Sequence, residues 1–187
     1  MPALLMHICC APDATIGYER LGEKADVTGF FYNPNIEPLQ EYELRESEAR
    51  KLANLLNVGY IEGLPDREIW RLLIAGLENE PERGERCRKC IAHSLEKTAL
   101  KALELNIQVF TTTLTASPHK DVEFIHKTGS EIAKRLGVEY LPETLRKNDG
   151  FKRSIELSKK YDLYRQNYCG CRWSKKESKE QIKLANL

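Results

Sequence analysis

Six cysteines dominate the chemistry that this sequence can support, because they occur as three close pairs. The pairs are Cys9-Cys10, Cys87-x-x-Cys90 and Cys169-Gly170-Cys171. Paired thiols from distant segments are typical of a metal or iron–sulfur centre that folding assembles. Structural zinc, redox disulfides and inert core cysteines are the alternatives, but four thiolates complete either a zinc site or a cubane cluster, and six exceed both.

Asp13 extends this set, because its carboxylate lies four residues past Cys9 in the same predicted loop. Seven potential ligands suffice for one cluster and a separate metal with three protein ligands and an open coordination position. Since successive side chains at a strand end point in opposite directions, Cys9 and Cys10 could serve different centres.

The length and composition predict one soluble domain. The chain has 187 residues, of which 41% are apolar and 30% charged, and no apolar run is long enough to span a bilayer. The opening residues Met1–Met6 lack a basic leader, so we predict no signal peptide and a cytoplasmic protein that needs no membrane. In that compartment the cysteines stay reduced, which disfavours disulfides.

Alternating strands and helices must position the cysteines. Apolar and β-branched runs predict strands at 3–8, 27–32, 58–61, 107–112 and 138–141. Helical spacing predicts helices between them, including one that starts at Ser117-Pro118 and another whose first turn carries Cys87 and Cys90. Crossovers of this length imply an α/β fold with a mainly parallel sheet and helices on both faces.

The carboxyl ends of the strands are where ligands bind in such sheets. The predicted strand ends place Cys9-Cys10, Asn33-Pro34-Asn35 and the segment 111–117 at one edge. The helix N-terminus at Cys87 and Cys90 is expected to favour their thiolate forms, since exposed amides and the helix dipole stabilise negative charge.

Residues 144–187 form a helical, basic C-terminal extension of the α/β core at 1–143 within a single predicted domain, 1–187. From Thr144 onward twelve Lys and Arg oppose five Asp and Glu, whereas the preceding residues carry 17 against 23. The extension also carries Cys169 and Cys171. It would therefore bring a metal site next to a surface suited to a polyanion such as RNA.

Four motifs together resemble the cobalamin-independent epoxyqueuosine reductases, the QueH family. They are His7-Ile-Cys-Cys-Ala-Pro-Asp13, Cys87-Arg-Lys-Cys90, Thr111-Thr-Thr-Leu-Thr-Ala-Ser-Pro-His-Lys120 and Leu163-Tyr-Arg-Gln-Asn-Tyr-Cys-Gly-Cys171. The resemblance implies a Rossmann-like sheet and an oxidoreductase that converts epoxyqueuosine to queuosine at the wobble position of tRNA, the last step of queuosine biosynthesis. It also implies a [4Fe-4S] cluster beside a mononuclear iron. Position 13 is cysteine in many members of that family and aspartate in others.

The resemblance leads to a hypothesis for the ligands. Cys9, Cys10, Cys87 and Cys90 would hold the cluster, while Asp13, Cys169 and Cys171 would hold the iron. Removing an epoxide oxygen takes two electrons and two protons, so the reaction needs an external low-potential electron donor. The neighbouring iron would act as a Lewis acid on that oxygen.

Protons and substrate contacts require further residues. Tyr164 and Tyr168 are predicted to be catalytic together with Asp13, with His7 and His119 as other proton donors. The residues predicted to bind the substrate are Thr111, Thr113, Ser117, Lys120, Arg165 and Arg172. Phosphate contacts to tRNA are expected from Lys152, Arg153, Lys159, Lys160, Lys175, Lys176 and Lys179, in addition to the two arginines.

Two other classes of protein fit part of this pattern. A zinc-stabilised RNA-binding module without catalysis would also use cysteine pairs and a basic tail. An adenylating enzyme of the ATP-pyrophosphatase type would need a Ser-Gly-Gly-x-Asp-Ser loop after the first strand, where this chain has Cys-Cys-Ala-Pro-Asp.

Overall fold

A five-stranded parallel sheet forms the centre of the computed structural model, which describes the backbone of residues 1–185 and the side chains through Ser178. The strands are β1 (Ala3–Ile8), β2 (Asp26–Phe31), β3 (Gly59–Glu62), β4 (Val109–Thr112) and β5 (Glu139–Tyr140). Their order is β3-β2-β1-β4-β5, and every neighbouring pair is parallel. This confirms the predicted Rossmann-like α/β fold.

Seven α-helices accompany the sheet within residues 1–185. They are α1 (Ala11–Leu21), α2 (Leu39–Leu56), α3 (Arg67–Leu73), α4 (Glu85–Glu104), α5 (Val122–Leu136), α6 (Gly150–Lys160) and α7 (Arg172–Ala185). No helix in this described range is long and apolar enough to cross a bilayer.

Alternating side chains of β1 build a hydrophobic core on each face of the sheet. Leu4, Met6 and Ile8 pack in one cluster with residues of α1 and α2, whereas Leu5 packs in the other with residues of α4 and α5. A strand with both faces covered has a nearly continuous run of apolar residues. This run is the signal that predicted β1 from the sequence.

The order of the strands reverses between β1 and β4, the central pair of the sheet. Connections from these two strands leave in opposite directions, so their carboxyl ends bound a crevice where ligands bind in doubly wound sheets. Cys9 follows β1 directly, and Thr113 follows β4. The predicted convergence of the strand ends is therefore present.

The helix predicted to start at Ser117-Pro118 begins later, at Val122. Residues Thr113–Ala116 form a 3₁₀ turn after β4, and Ser117 is extended. Asp121 caps α5 instead, because its Oδ1 accepts a hydrogen bond of 3.1 Å from the amide of Phe124. The segment from Ser117 to Lys120 is consequently a loop beside the site.

The extension docks on the core through α6, which packs against α1. Arg20 donates hydrogen bonds to the carbonyls of Leu145, Lys147 and Asn148. Arg153 pairs with Glu19 at 2.9 Å. These contacts place the segment that follows α6, with its two cysteines, close to the carboxyl edge of the sheet.

Candidate metal centre

Three acidic side chains meet at the carboxyl end of β1. Cys10 caps α1 in an extended conformation, which places Asp13 in the first helical turn. The Sγ of Cys9 lies 4.0 Å from the Sγ of Cys10 and 3.5 Å from Oδ2 of Asp13. All three donor atoms lie within 4.8 Å of one another. Two thiolates and a carboxylate at this spacing can bind one metal ion from three sides.

Thr113 fixes Cys9 across the crevice between β1 and β4. Its Oγ1 accepts a hydrogen bond of 3.1 Å from the amide of Cys9 and donates one of 3.2 Å to the Sγ of Cys9. Thr113 is completely buried. It therefore orients a candidate ligand and has no free hydroxyl for a substrate, which differs from its predicted role.

Local contacts and burial raise the pKa of two members of this trio, Cys9 and Asp13. Hydrogen bonding with Cys10, followed by burial, raises the pKa of the Cys9 thiol. Burial also raises the pKa of the Asp13 carboxyl, although the positive charge of Arg165 opposes it. A cation would bind well where the half-buried Cys9 meets the buried Cys10 and Asp13, since metal binding displaces their protons.

The other cysteine pairs line a cavity next to the trio. Its wall includes Cys87, Cys90, Cys169 and Cys171, together with Cys9. Two of these thiols come from the first turns of α4 and two from the loop before α7. The structure thus brings five cysteines to one cavity, whereas Cys10 lies outside its wall and beside Asp13.

This arrangement differs from the partition expected from sequence. Asp13 lies with Cys9 and Cys10, although it was expected to share a metal with Cys169 and Cys171. Cys169 and Cys171 instead face the same cavity as Cys87 and Cys90. Chain order did not reveal this grouping, because it depends on how the extension folds back over the sheet.

The thiols of α4 are less acidic than a helix N-terminus alone would make them. Burial raises the pKa of Cys87 and of Cys90, and the neighbouring Cys169 and Cys171 raise that of Cys90 further. Desolvation therefore outweighs the helix dipole, and these cysteines need a bound cation or cluster to stay ionised.

Buried hydrogen-bond donors also line the cavity and suit a sulfur-rich group. The Nε of Arg86 is buried and has no hydrogen-bond partner among the described residues. The buried indole of Trp70 hydrogen-bonds to the side chain of Cys90, which opposes the rise in the pKa of that thiol. Both side chains are on the cavity wall. Since hydrogen bonds to cluster sulfurs tune iron–sulfur centres, these donors and four thiols fit a cluster well.

An open groove, larger than the cavity, adjoins it. Cys9, Lys120 and Cys169 line both spaces. Asp13 and Arg165 line the groove but not the cavity. A substrate in the groove would therefore meet Cys9 and Asp13 and the mouth of the cysteine cavity at one point.

The predicted substrate residues divide into two sets. Ser117, Lys120 and Arg165 line the groove. Thr111 does not, because its hydroxyl is buried and donates to the carbonyl of Leu141 at 2.8 Å. Arg172 lies outside the groove wall and forms a 2.8 Å ion pair with Glu37.

The proton-donor candidates are also separated by their contacts. The hydroxyl of Tyr164 donates to Glu41 at 3.2 Å, and this residue lines neither space. Tyr168 lines the groove, but its hydroxyl donates to the carbonyl of Glu37 at 2.8 Å. Burial raises the pKa of Tyr168 to about 12, so it is protonated at neutral pH.

His7 is held as a neutral structural side chain. Its Nε2 is 3.0 Å from the carbonyl of Tyr32, and its Nδ1 is 2.9 Å from Oγ1 of Thr112. Burial lowers the pKa of His7 to about 4. His119, in contrast, is exposed on the groove wall.

Arg45 is a functional residue that the sequence did not reveal. Its Nη1 donates to the carbonyl of Cys169 at 2.9 Å, and its Nη2 donates to the carbonyl of Tyr168 at 3.2 Å. Its Nε pairs with Glu41 at 2.7 Å. Arg45 thereby ties the loop of Cys169 to α2. The available signal was an arginine on the apolar face of α2, three residues after Tyr42.

Comparisons with known proteins identify the family that this chain resembles. The family described as epoxyqueuosine reductase QueH matches residues 4–177. A relative from Streptococcus pyogenes with that name is 40% identical over 94% of this chain and 71% of its own length. One from Thermotoga maritima with the same name is 39% identical over 97% of this chain and 94% of its own length.

Two solved structures share the fold at 13% sequence identity. One is a predicted subunit of a tRNA methyltransferase from Methanocaldococcus jannaschii, with a TM-score of 0.60 over 85% of this chain and 75% of that chain. The other is the U34-tRNA thiolase NcsA from Methanococcus maripaludis with its [4Fe-4S] cluster. Its TM-score is 0.59, and the match covers 99% of this chain and 67% of that chain. At this identity the likeness establishes the fold alone.

Proposed function

The chain belongs to the epoxyqueuosine reductase QueH family, and we propose that it reduces epoxyqueuosine to queuosine at the wobble position of tRNA. One observation in this chain supports the assignment. Cys9 and Asp13 of the trio, together with Cys169 of the cysteine-lined cavity, line one open groove. Such an arrangement suits a reductive step on a substrate that enters from the groove.

We assign the ligands from the grouping of their side chains. Cys87, Cys90, Cys169 and Cys171 would hold a [4Fe-4S] cluster in the cavity. Cys9, Cys10 and Asp13 would hold a mononuclear iron at the groove. The short separations within the trio and the shared wall of the four thiols support this division. The extension then completes the core, which supports treating residues 1–187 as one domain.

Deoxygenation of the epoxide consumes two electrons and two protons and releases one water. The iron centres would supply electrons singly and polarise the epoxide oxygen, while an external low-potential donor would replenish the electrons. Among the protein groups at the groove, the exposed His119 is placed to deliver protons. Arg165 is placed to bind a phosphate or the base beside Asp13.

Anaerobic incubation with epoxyqueuosine-containing tRNA and a low-potential reductant tests the function directly. We expect the modified nucleoside to lose the mass of one oxygen, and the purified protein to be brown and to contain iron and acid-labile sulfide. Iron-replete protein that leaves the nucleoside unchanged would refute the activity. A colourless protein with one zinc would instead favour the RNA-binding module.

The basic residues of α7 provide a test of the tRNA surface. Lys176 is exposed, and the Nζ of Lys175 lies 5.3 Å from the ring centroid of Tyr168, which lines the groove. Changing Lys175 and Lys176 to Glu should weaken tRNA binding and reduce the salt slope of log K by roughly 0.7–0.9 for each lost phosphate contact. Binding measured at several salt concentrations gives both quantities.

The matched control changes Lys24 and Lys134 to Glu, since these exposed lysines precede β2 and β5 at the opposite edge of the sheet. The control should leave the slope unchanged. Equal slopes in both double variants would contradict the assigned surface. Lys179, which we also expected to contact tRNA, has a side chain outside the described residues.

A further inference from the structure

Lys120 is a buried cation at the junction between the cysteine cavity and the groove. Its exposed fraction is 7%. Its Nζ donates a hydrogen bond of 3.1 Å to the Sγ of Cys169. On its other side, Oε1 of Glu82 lies 3.7 Å from the same Nζ. The ammonium therefore lies between one candidate cluster ligand and one carboxylate.

The backbone around Lys120 keeps the ammonium in this place. Nη1 of Arg146 donates to the carbonyl of Lys120 at 3.0 Å and to that of Ser117 at 3.1 Å. The capped start of α5 at Asp121 follows immediately. The loop is thus tied at both ends, so the lysine is not a flexible surface group that would reach out for a phosphate.

A buried ammonium requires negative charge nearby. A neutral thiol would give little compensation, whereas a metal-bound thiolate would form a charge-assisted hydrogen bond with it. Glu82 compensates only partly, because 31% of its side chain is exposed and water screens its charge. The geometry therefore couples the lysine to the electronic state of whatever Cys169 ligates.

We propose that Lys120 raises the reduction potential of the centre ligated by Cys169, and that Glu82 moderates this effect. The inference rests on the proposed function, in which Cys169 is a cluster ligand. A reduced cluster carries one more negative charge than an oxidised one, so a neighbouring cation stabilises the reduced form. Lys120 is in this view a positioning and tuning residue for the cluster, not a phosphate ligand.

The two residues should act with opposite sign. Lys120→Met removes the cation and should lower the potential, while Lys120→Arg keeps the charge and should largely preserve it. Glu82→Gln removes the moderating carboxylate without changing its shape and should raise the potential. A general loosening of the site would not produce shifts of opposite sign in two adjacent variants.

The experiment is a redox titration of the anaerobically purified holoprotein, followed by the EPR signal of the reduced cluster. For Lys120→Met we expect the ratio of reduced to oxidised cluster at fixed potential to fall about tenfold, a shift of about 59 mV for one electron. Lys24→Met, which removes an equal charge at the opposite edge of the sheet, should leave the potential unchanged.

Three outcomes would overturn the inference: an unshifted potential in Lys120→Met, a shift of equal size in Lys24→Met, or a fall in Glu82→Gln. If Lys120→Met fails to load a cluster, the more exposed Glu82→Gln decides by itself. A raised KM for tRNA in Lys120→Met with an unchanged potential would make the lysine a substrate ligand. Failure of the proposed function would be recognised by different measurements on the wild-type protein. These are the absence of iron and sulfide, or a nucleoside that is not reduced.

Discussion

Asp13→Asn is expected to lower turnover by roughly a hundredfold or more and to remove one iron per chain while leaving the visible absorption of the cluster. The reason is that Asp13 lies with Cys9 and Cys10 at the groove, separated from the four thiols of the cavity. Asparagine keeps the size of the side chain but loses the anionic oxygen. Iron and sulfide analysis, the absorption spectrum and single-turnover kinetics on epoxyqueuosine-containing tRNA measure these effects.

Asp13→Cys is the informative companion, because a thiolate restores an anionic ligand at the same position. It should regain iron and part of the activity. The control is Asp26→Asn, at the exposed start of β2, which should change neither the iron content nor the activity. Loss of the cluster absorption in Asp13→Asn would contradict the proposed separation of the two centres.

The sequence was sufficient for the sheet because its signals are local. The apolar run before Cys9 has both faces buried, and the polar residues after it mark the end of a strand. Parallel strands align their carboxyl ends, so the meeting of Cys9 with Thr113 followed from topology alone. The resemblance of the motifs to a known family then suggested the substrate, which the residue types alone did not identify.

The ligand grouping required the folded extension. Whether Cys169 faces Asp13 or Cys90 depends on the path of the loop before α7, and that path is set by Arg45 from a distant helix. The start of α5 was predicted too early because two residues compete to cap this helix. Ser117 and Asp121 are both good helix caps, and the 3₁₀ turn at Thr113–Ala116 leaves only Asp121 in position to cap α5.

Arg45→Met is expected to destabilise the protein by about 3 kcal/mol and to reduce cluster loading. Arg45 is only 2% exposed, so its loss leaves Glu41 without its cationic partner and two partly buried carbonyls without this donor. Those carbonyls belong to Tyr168 and Cys169. The loop should therefore lose its fixed geometry even where the rest of the fold persists.

Arg50→Met is the matched control on the same helix. Arg50 pairs with Glu46 and Glu62, but half of its side chain is exposed, so its removal should cost less than about 1 kcal/mol. Urea unfolding of apoprotein and holoprotein, with iron and sulfide content, compares the two variants.

Arg45→Lys separates charge from geometry at this position. Lysine keeps the positive charge, but a single ammonium cannot reproduce the planar guanidinium that reaches Glu41 and both loop carbonyls. If Arg45 positions the loop, Arg45→Lys should recover part of the stability but little of the cluster loading. Full loading in Arg45→Met or in Arg45→Lys would mean that the thiols of Cys169 and Cys171 are positioned without α2, and the proposed role of Arg45 would be wrong.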